Sequence, residues 1–446
     1  GFNENTGKIN RCGRWYQITS GYVDFKFMNH FELVSPAGSF EKLKFAIEYG
    51  ADAVYLGAKS FSLREGAANF SIEELRQGVE YVHQRGKRAY LAANIFFHDS
   101  HFNAFKEFLE EIKSIQIDGI IVSDIGAVSY IRGKYPDISI HISTQANTTN
   151  SETARFYEKL GVKRIILARE LGIEEIKRIR DRVSLDLEVF VHGAMCISYS
   201  GRCLLSNYFT NQSLYKKGEK MGGMKKLKTR DANLGDCAQS CRWEYYLVES
   251  TRKNDFIPIE ENETGTAILS SKDLNLSAHI KRLMDAGINA FKIEGRMKSI
   301  YYVSNVTRVY RYCIDSALKG EDVDLKILEE LDKVSHREYT TGFYFKENES
   351  LCSTKNSSYI REYSFLGYVL KRIDNRKFLI RAMNQIKNND SIEIIRPHFK
   401  DFVIEKYNLL KDDMIVDKVH PDEEFILEYI GDFELDRFDI LRRKVT

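Results

Sequence analysis

The stretch FELVSPAGSFEKLKFAIEYGADAVYLG, from Phe31 to Gly57, contains the unit that repeats along most of the chain. Its pattern predicts a short apolar strand, a turn, an amphipathic helix and a second strand. Ser39 has the side chain of a typical helix N-cap, and Gly50 follows the helix, where a left-handed residue often ends one. A strand–helix–strand unit of this length indicates two parallel, neighbouring strands.

The same alternation continues to about residue 318. Strands are predicted at 31–36, 52–57, 87–94, 119–123, 138–143, 163–168, 185–192 and 289–294. Helices are predicted at 40–49, 72–84, 102–115, 125–134, 152–160, 173–183, 274–286 and 299–318. Eight strands, each followed by a helix, indicate a (β/α)₈ barrel. An open doubly wound sheet would need a glycine-rich phosphate loop after its first strand, and the SPAG stretch at 35–38 has the wrong spacing.

The pattern divides the chain into three regions. Residues 1–30 are predicted to be a leader or tag-like segment, with Met28 as the natural start. Residues 31–334 form the predicted barrel, which carries a cysteine-bearing insertion at 193–265. Residues 335–446 contain short alternating runs at 365–370, 377–381, 391–395 and 424–429, separated by Asn, Asp and Gly turns. These runs predict a small antiparallel β-barrel as an accessory domain.

Composition and charge exclude some classes of protein. Of the 446 residues, 43% are hydrophobic and 12% are aromatic, which is too apolar for a disordered chain. No apolar run reaches the roughly 18 residues of a membrane span. No short basic and apolar leader opens the sequence, so we expect a cytoplasmic protein. The formal net charge is only +2, so any nucleic-acid surface must be local. A basic run in the insertion is the candidate, with a solvated face as the alternative; it comprises Lys216, Lys217, Lys220, Lys225, Lys226, Lys228 and Arg230.

Four of the seven cysteines lie together in the insertion, at Cys196, Cys203, Cys237 and Cys241. Four thiolates can bind a tetrahedral zinc ion or an iron–sulfur cluster. Six residues separate the first pair, which is long for a tight zinc site, so the spacing favours a cluster. Zinc on the same cysteines and four unligated buried cysteines stay open as alternatives.

The cysteines stand in longer motifs that resemble a known family. The motifs are EVFVHGAMCISYSGRCLLS at 188–206, RDANLGDCAQSCRW at 230–243, SPAG at 35–38, ADAVYLG at 51–57, FSLR at 61–64 and KIEGRMK at 292–298. Together they resemble the collagenase-like "peptidase family of unknown catalytic type", over residues 32–344. Within that family the chain is most similar to the prephenate-dependent tRNA uridine hydroxylation proteins.

The resemblance implies an activity, a co-substrate and a cofactor. It implies hydroxylation of the wobble uridine of certain tRNAs to 5-hydroxyuridine, dependent on prephenate. It also implies a 4Fe–4S cluster on Cys196, Cys203, Cys237 and Cys241. Relatives that hydroxylate 23S ribosomal RNA make that RNA an alternative substrate. The family label implies a peptidase, but the chain has neither a His-Glu-x-x-His nor a Gly-x-Ser-x-Gly motif. A non-catalytic RNA adaptor that carries the cluster is a third possibility.

Candidate site residues follow from this implied chemistry. Prephenate carries two carboxylates, which arginine binds best. The predicted substrate-binding residues are Arg64, Arg169, Arg202, Arg242, Arg296, Lys292, Gln145 and Asn147, with Asn69 and Asn94 in comparable places. The predicted catalytic residues are His192, Glu188 and Glu294, for which a core histidine and a buried ion pair are the structural alternatives. Trp243 and Tyr245 are candidates for stacking on a base, with core packing as the alternative.

Overall fold

The computed structural model describes the parts of the chain that carry the fold. They are residues 31–59, 61–62, 69–196, 198, 206, 230, 232–233, 236–241, 271–345, 359–429, 431 and 434–445. Outside them, the backbone is described at 234, at 242 and in five short strands, which are Lys8–Ile9, Trp15–Thr19, Tyr22–Asp24, Tyr246–Leu247 and Ile257–Pro258. The first three strands form one antiparallel sheet and the last two form another.

Eight parallel strands close into a barrel. They are β1 (Glu32–Ala37), β2 (Ala53–Gly57), β3 (Arg88–Ala92), β4 (Gly119–Val122), β5 (Ile140–Ile142), β6 (Arg164–Ile166), β7 (Asp186–Ala194) and β9 (Ala290–Ile293), with β8 (Asp273–Asn275) between the last two along the chain. Strand β9 pairs in parallel with both β7 and β1, which closes the ring. The predicted (β/α)₈ barrel is therefore confirmed, and each of its predicted strands overlaps an observed strand.

Helices surround the barrel. They are α1 (Phe40–Glu48), α2 (Ile72–His83), α3 (Asp99–Ile112), α4 (Ile125–Lys134), α5 (Ser151–Lys159), α6 (Ile173–Arg180), α7 (Ile280–Asp285), α8 (Ile300–Lys319) and α9 (Leu325–Leu328). The Ser39 side chain caps α1 by accepting a hydrogen bond from the Lys42 amide, as predicted. Gly50 follows α1 with a φ of 104°, which a residue with a Cβ rarely adopts. In the described part of the chain, no helix is long and apolar enough to cross a membrane.

One predicted helix begins too early. Strand β8 occupies the beginning of the helix expected over 274–286, and a 3₁₀ turn at Ser277–His279 leads into α7 at Ile280. This strand pairs antiparallel with the end of β7, with Leu274 opposite Gly193, and parallel with β10 (Tyr339–Thr340). Strand β7 runs past the barrel and offers its backbone groups there, so sheet hydrogen bonds replace the helical ones. Tertiary pairing thus overrides the local helical pattern at residues 274–275, so the predicted start of this helix was wrong, whereas the helix itself is present.

Residues 359–445 form a curled antiparallel sheet, as predicted for the C-terminal region. Its elements are β11 (Tyr363–Arg372), β12 (Lys377–Ala382), β13 (Ile386–Lys387), β14 (Ile392–Ile395), β15 (Phe402–Ile404), β16 (Tyr407–Lys411), β17 (Met414–Val416), β18 (Lys418–Val419), β19 (Glu424–Tyr429) and β20 (Ile440–Lys444). The strand order is β15-β14-β20-β11-β12-β19-β16-β17, and β13 pairs with β18. The sheet has an apolar core of its own.

Buried charges join this sheet to the barrel. Glu330 accepts hydrogen bonds from Arg308 on α8 (2.7 Å) and from both terminal nitrogens of Arg442 on β20 (2.7 and 3.0 Å). The Tyr49 hydroxyl, next to α1, donates to the Ile395 carbonyl of β14 (3.0 Å). Because one carboxylate serves two buried guanidinium groups, the sheet has a defined position on α8.

Candidate active site

An open cavity lies at the carboxyl ends of the barrel strands. The described residues that line it are Tyr55, Ala92, Asn94, Ile121, Ser143, Thr144, Gln145, Ile166, Arg169, Phe190, Lys292, Glu294 and Arg296. Its volume, counted to the open mouth, is about 520 Å³. Enzymes with this fold build their active sites at this end, from residues on several strands. The cavity is therefore the candidate active site.

The cavity lining is rich in positive charge. Arg169, Lys292 and Arg296 are its cationic residues, and Glu294 is the acidic one among the described lining residues. The Arg169 guanidinium donates to the Ala194 carbonyl at the end of β7 (3.3 Å). Arg296 is only 3% exposed, so its charge lies in a poorly solvated place. Lys292 is paired with the buried Glu188, so Arg169 and Arg296 against Glu294 leave an excess of positive charge in the described lining. This excess favours an anionic ligand, and carboxylates and phosphates fit guanidinium groups best. These four residues were all predicted from the sequence as site residues.

Two aromatic side chains form apolar walls in the cavity. Lys292 Nζ lies 4.3 Å from the centre of the Tyr55 ring and 5.7 Å from that of the Phe190 ring. The Tyr55 hydroxyl donates to the Ile293 carbonyl (3.0 Å), which fixes the ring. Both residues were missed in the sequence. The available signal was the two-residue period of a strand, which places Phe190 on the same face of β7 as Glu188.

Polar side chains from the loops after β3 and β5 line the opposite part of the cavity. The Asn94 amide donates to Ser143 Oγ (3.1 Å), and the Thr144 hydroxyl donates to the Leu167 carbonyl (3.0 Å). Gln145 lines the cavity, as predicted, whereas Asn147 does not. Asn147 ends the short 3₁₀ turn of residues 144–146 with a φ of 55°, a left-handed conformation that asparagine tolerates.

A buried ion network lies inside the barrel beneath the cavity. Lys292 Nζ donates to Glu188 Oε1 (2.7 Å), and Arg164 Nη1 donates to Glu188 Oε2 (3.1 Å). The same Arg164 nitrogen donates to Glu32 Oε2 (2.5 Å), and the Tyr90 hydroxyl donates to Glu32 Oε1 (2.8 Å). Glu188 is 0% exposed and is not among the described lining residues of the cavity. Buried charges persist only when they are paired, so this network is a structural requirement of the barrel. The catalytic role predicted for Glu188 stays a prediction.

Burial and neighbouring charges shift the titration of this network. Burial raises the pKa of Glu32, but the charges of Arg164 and Arg88 and the hydrogen bonds from Arg164 and Tyr90 outweigh it, so this pKa lies below its ordinary value. Burial lowers the pKa of Lys292, and Glu188 only partly offsets that effect. The Lys292 amine therefore loses its proton more readily than a lysine in water does.

His192, predicted to transfer protons, lies apart from the described lining of the cavity. Its Nδ1 is 3.3 Å from the Tyr310 hydroxyl, and its ring packs 5.9 Å from the Tyr302 ring and 5.5 Å from the Tyr339 ring. Burial, with the nearby charge of Lys298, lowers its pKa to about 3. The imidazole is therefore neutral at physiological pH. Its proton-transfer role stays a prediction.

The described cysteines of the insertion belong to the same end of the barrel. Cys196 follows the end of β7 by two residues and is exposed, as is Cys237, while Cys241 is partly buried. The insertion returns to the barrel at Asn233, whose carbonyl accepts a hydrogen bond from the Phe96 amide in the loop after β3 (3.1 Å). The Gln239 amide donates to Cys237 Sγ (3.3 Å). Such N–H···S bonds stabilise thiolates that bind metal.

Several predicted site residues lie outside the described residues. They are Arg64, Arg202, Cys203, Lys216, Lys217, Lys220, Lys225, Lys226, Lys228, Trp243, Tyr245 and the side chain of Arg242. Among the described side chains, no group of three or more His, Cys, Asp or Glu residues is arranged to hold a metal ion. The described cysteines Cys196, Cys237 and Cys241 thus do not form such a group by themselves. Cys203 lies outside the described residues, and the four-cysteine site stays a prediction.

Arg230, the described member of the predicted basic arm, contacts the second cysteine segment. Its Nε donates to Asp236 Oδ1 (2.7 Å), and its Nη2 donates to the Cys237 carbonyl (3.0 Å). The Ser206 hydroxyl donates to the Arg230 carbonyl and accepts from the Ala238 amide, each at 2.8 Å. These bonds fix the backbone on both sides of Cys237. RNA binding by Arg230 stays a prediction.

The Gly57→Ala variant is expected to impair ligand binding in the cavity. A methyl group on Gly57 would overlap Arg296 Nη1 and Ser62 Oγ, so the guanidinium would have to move. Losing a charge-assisted hydrogen bond costs about 1.5–3 kcal/mol, which corresponds to a roughly 10- to 100-fold weaker Kd for an anionic ligand. Isothermal titration with a carboxylate ligand measures this. A matched control is Gly133→Ala, because a Cβ on Gly133 in α4 would have no atom within 4 Å and the backbone there is not left-handed; it should leave the Kd unchanged. An unchanged Kd in Gly57→Ala would contradict the assignment of Arg296.

Comparisons with known proteins bear on this site. The family model described as "Peptidase family U32" matches residues 38–353. The chain is 36% identical over 380 residues to "tRNA hydroxylation protein P1" of Bacillus subtilis, covering 83% of this chain and 85% of that protein. It is 33% identical over 288 residues to "23S rRNA 5-hydroxycytidine C2501 synthase" of Escherichia coli, covering 65% of this chain and 40% of that protein. It is 32% identical over 332 residues to "Collagenase" of Porphyromonas gingivalis, covering 71% of this chain and 74% of that protein. Since the family model spans most of the barrel, the cavity and the cysteine motifs, the chain belongs to peptidase family U32.

Proposed function

We propose that this chain is a cytoplasmic RNA hydroxylase that converts the wobble uridine of certain tRNAs to 5-hydroxyuridine, with prephenate as co-substrate. The observation that carries the proposal is its similarity to tRNA hydroxylation protein P1 over 85% of that protein's length. A match that covers 83% of this chain includes most of the barrel and reaches into the C-terminal sheet. The similarity to the ribosomal RNA synthase supports the broader class of RNA hydroxylation.

The cavity is suited to the proposed co-substrate. Prephenate has two carboxylates and an unsaturated ring, and the described lining of the cavity combines two guanidinium groups with two aromatic walls. Arg169 and Arg296 would hold carboxylates, and Tyr55 and Phe190 would contact the ring. Gln145 would donate to, or accept from, a polar edge of the ligand.

The four insertion cysteines are the proposed ligands of a 4Fe–4S cluster. Cys196, Cys203, Cys237 and Cys241 supply the thiolates, and the Gln239 amide supports one of them. When bound, such a cluster supplies electrons or acts as a Lewis acid. Zinc on the same thiolates is the alternative occupant. The chain's own residues bind the co-substrate, bring RNA to the mouth of the barrel and position the cysteine loops.

The insertion is the proposed contact for tRNA. Its basic run would neutralise backbone phosphates, and Trp243 or Tyr245 would stack on the unpaired base. A wobble base lies in a single-stranded loop, so no duplex has to open before it enters the site.

The proposal is tested by mass spectrometry of tRNA nucleosides from a strain that lacks the gene. We expect 5-hydroxyuridine and its derivatives to disappear from the wobble position and to return with the wild-type gene. The same measurement on digests of 23S ribosomal RNA is the control, and it should show no change. If the tRNA nucleosides are unchanged and 5-hydroxycytidine disappears from the ribosomal RNA, the substrate is ribosomal RNA instead. No change in either RNA would contradict the hydroxylase.

Proteolysis is the second candidate, because one relative is named a collagenase. The described cavity lining contains Ser143 and Thr144 but no histidine to activate either hydroxyl. Asn94 is hydrogen-bonded to Ser143 and cannot act as a base. We therefore expect the pure protein not to cleave gelatin. Cleavage that one substitution abolishes, without loss of bound metal, would establish the peptidase.

A further inference from the structure

Lys292 occupies an unusual place for a lysine. It lies on β9, one residue from the carboxyl end of that strand, with its side chain only 4% exposed and in contact with the cavity. Buried lysines at barrel strand ends are suited to nucleophilic chemistry, because a desolvated amine loses its proton readily. We propose that Lys292 is a carbonyl-reactive amine that forms an imine with the 2-oxo group of a 2-oxo carboxylate bound in the cavity. This inference rests on the proposed co-substrate site and assigns its chemistry.

The cavity would bind such a ligand in one orientation. Arg169 and Arg296 are the other cations among the described lining residues, so they would hold the carboxylate. In a 2-oxo acid the carbonyl carbon is bonded directly to the carboxylate carbon, so the reactive atom is held near these cations and within reach of Lys292. Tyr55 and Phe190 offer apolar contact to the remainder of the ligand. The class of ligand is therefore a 2-oxo acid with an apolar or cyclic substituent.

Glu188, which is hydrogen-bonded to Lys292, can accept the proton that the amine has to lose. Glu188 Oε1 accepts a hydrogen bond from Nζ at 2.7 Å and is itself held by Arg164. Glu188 and Glu294 are the anionic groups that face the amine, and Arg164 is a cation beside it. Burial, the largest influence, lowers the pKa of the amine, and the charge of Arg164 acts in the same direction, while Glu188 and Glu294 only partly offset them.

The proposed step balances without an oxidant or reductant. The Lys292 ammonium gives a proton to Glu188, and the neutral nitrogen forms a bond to the carbonyl carbon. One proton then passes from that nitrogen to the carbonyl oxygen, which becomes the hydroxyl of a carbinolamine. That hydroxyl takes up the proton held by Glu188 and leaves as water, which gives a protonated imine. Lysine and ligand together lose one water molecule, and their net charge is unchanged.

The experiment is trapping with sodium borohydride, followed by peptide mapping by mass spectrometry. We use phenylpyruvate as the 2-oxo acid and phenyllactate, which lacks the carbonyl group, as the control ligand. The full chain incubated with phenylpyruvate should carry one reduced adduct, on Lys292, and phenyllactate should give none. Lys42 is an internal control, because burial lowers its pKa too but it does not line the cavity. It should remain unmodified.

The variant Lys292→Arg keeps the positive charge but cannot form an imine. It should form no adduct, still bind phenyllactate in a thermal-shift assay, and lose RNA hydroxylation by at least about 100-fold.

Other outcomes would contradict one or both proposals. If the wild-type protein binds phenylpyruvate without forming an adduct, the imine is overturned and the co-substrate cavity is kept. An adduct on Lys42, or Lys292→Arg turnover within about twofold of wild type, would overturn it too. If neither phenylpyruvate nor phenyllactate binds at millimolar concentration, both the imine and the cavity assignment are overturned. An adduct on Lys292 together with unchanged tRNA in the deletion strain would keep the imine and reject the proposed RNA substrate.

Discussion

Replacing Arg164 with methionine is expected to lower the free energy of unfolding by about 3–5 kcal/mol. Arg164 is 4% exposed and is hydrogen-bonded to both Glu32 and Glu188, which are themselves buried. Its removal leaves two carboxylates inside the barrel with fewer partners, and an underpaired buried charge is strongly destabilising. Since a domain of ordinary stability has about 5–15 kcal/mol, the loss is large. Urea denaturation followed by circular dichroism measures it.

The matched control for this variant is Arg155→Met. Arg155 also pairs with a glutamate, but both side chains of that pair are exposed on α5. Its substitution should change the free energy of unfolding by less than about 1 kcal/mol. If Arg164→Met also lowers the free energy of unfolding by less than about 1 kcal/mol, the buried carboxylates do not require Arg164 as their partner.

The destabilisation in Arg164→Met should also depend on pH. In the wild type, the pKa of Glu32 lies below its ordinary value, so ionised Glu32 contributes stability above that value and loses it as the pH falls. Without Arg164 this contribution disappears. The stability gap between the two proteins should therefore be widest at neutral pH. It should narrow as the pH falls below about 4.5, the ordinary pKa of a glutamate, towards the lowered pKa of Glu32. A gap that does not change with pH would contradict the charge pairing.

Replacing Cys237 with alanine is expected to remove the iron and to reduce RNA hydroxylation by at least about 100-fold. Cys237 is one of the four proposed cluster ligands, and the Gln239 amide donates to its sulfur. Iron, sulfide and zinc are measured in protein isolated without oxygen. We expect about four iron and four sulfide per chain in the wild type and a large loss in the variant.

Cys313→Ala is the control for this variant. Cys313 is fully buried on α8, and burial raises its pKa to about 12, so it is an unreactive core thiol. Its substitution should leave iron, sulfide and activity in place. If the wild-type protein instead contains about one zinc ion per chain and no sulfide, the four cysteines bind zinc and not a cluster. Iron retained in Cys237→Ala would contradict this ligand.

The fold was predictable because its strands are short apolar runs with clear boundaries. Particular residues also mark the helix ends: the Ser39 side chain caps the start of α1, and Gly50 follows its end. The failure at 274–286 has a physical cause. A strand there is stabilised by pairing with β7 and β10, which are distant in sequence, and local spacing carries no information about such a partner.

The candidate site was predictable in part. Glu294 and Arg296 stand in one short motif at a strand end, so their place at the mouth of the barrel follows from the fold. Tyr55 and Phe190 were missed because a parallel strand is apolar on both faces, which hides the side that points inward. The position of Glu188 in an ion network depends on Arg164 and Lys292, which come from other strands. Such pairing appears only when the barrel closes.

The most direct test of an RNA-hydroxylating role is turnover by the purified protein. The chain is isolated without oxygen and given tRNA from the deletion strain together with prephenate, and the tRNA nucleosides are then analysed by mass spectrometry. We expect 5-hydroxyuridine to form at the wobble position, to require prephenate and to be absent with Cys237→Ala. Protein that carries its full iron and binds tRNA but forms no hydroxylated nucleoside would be an adaptor, and that result would contradict the enzyme.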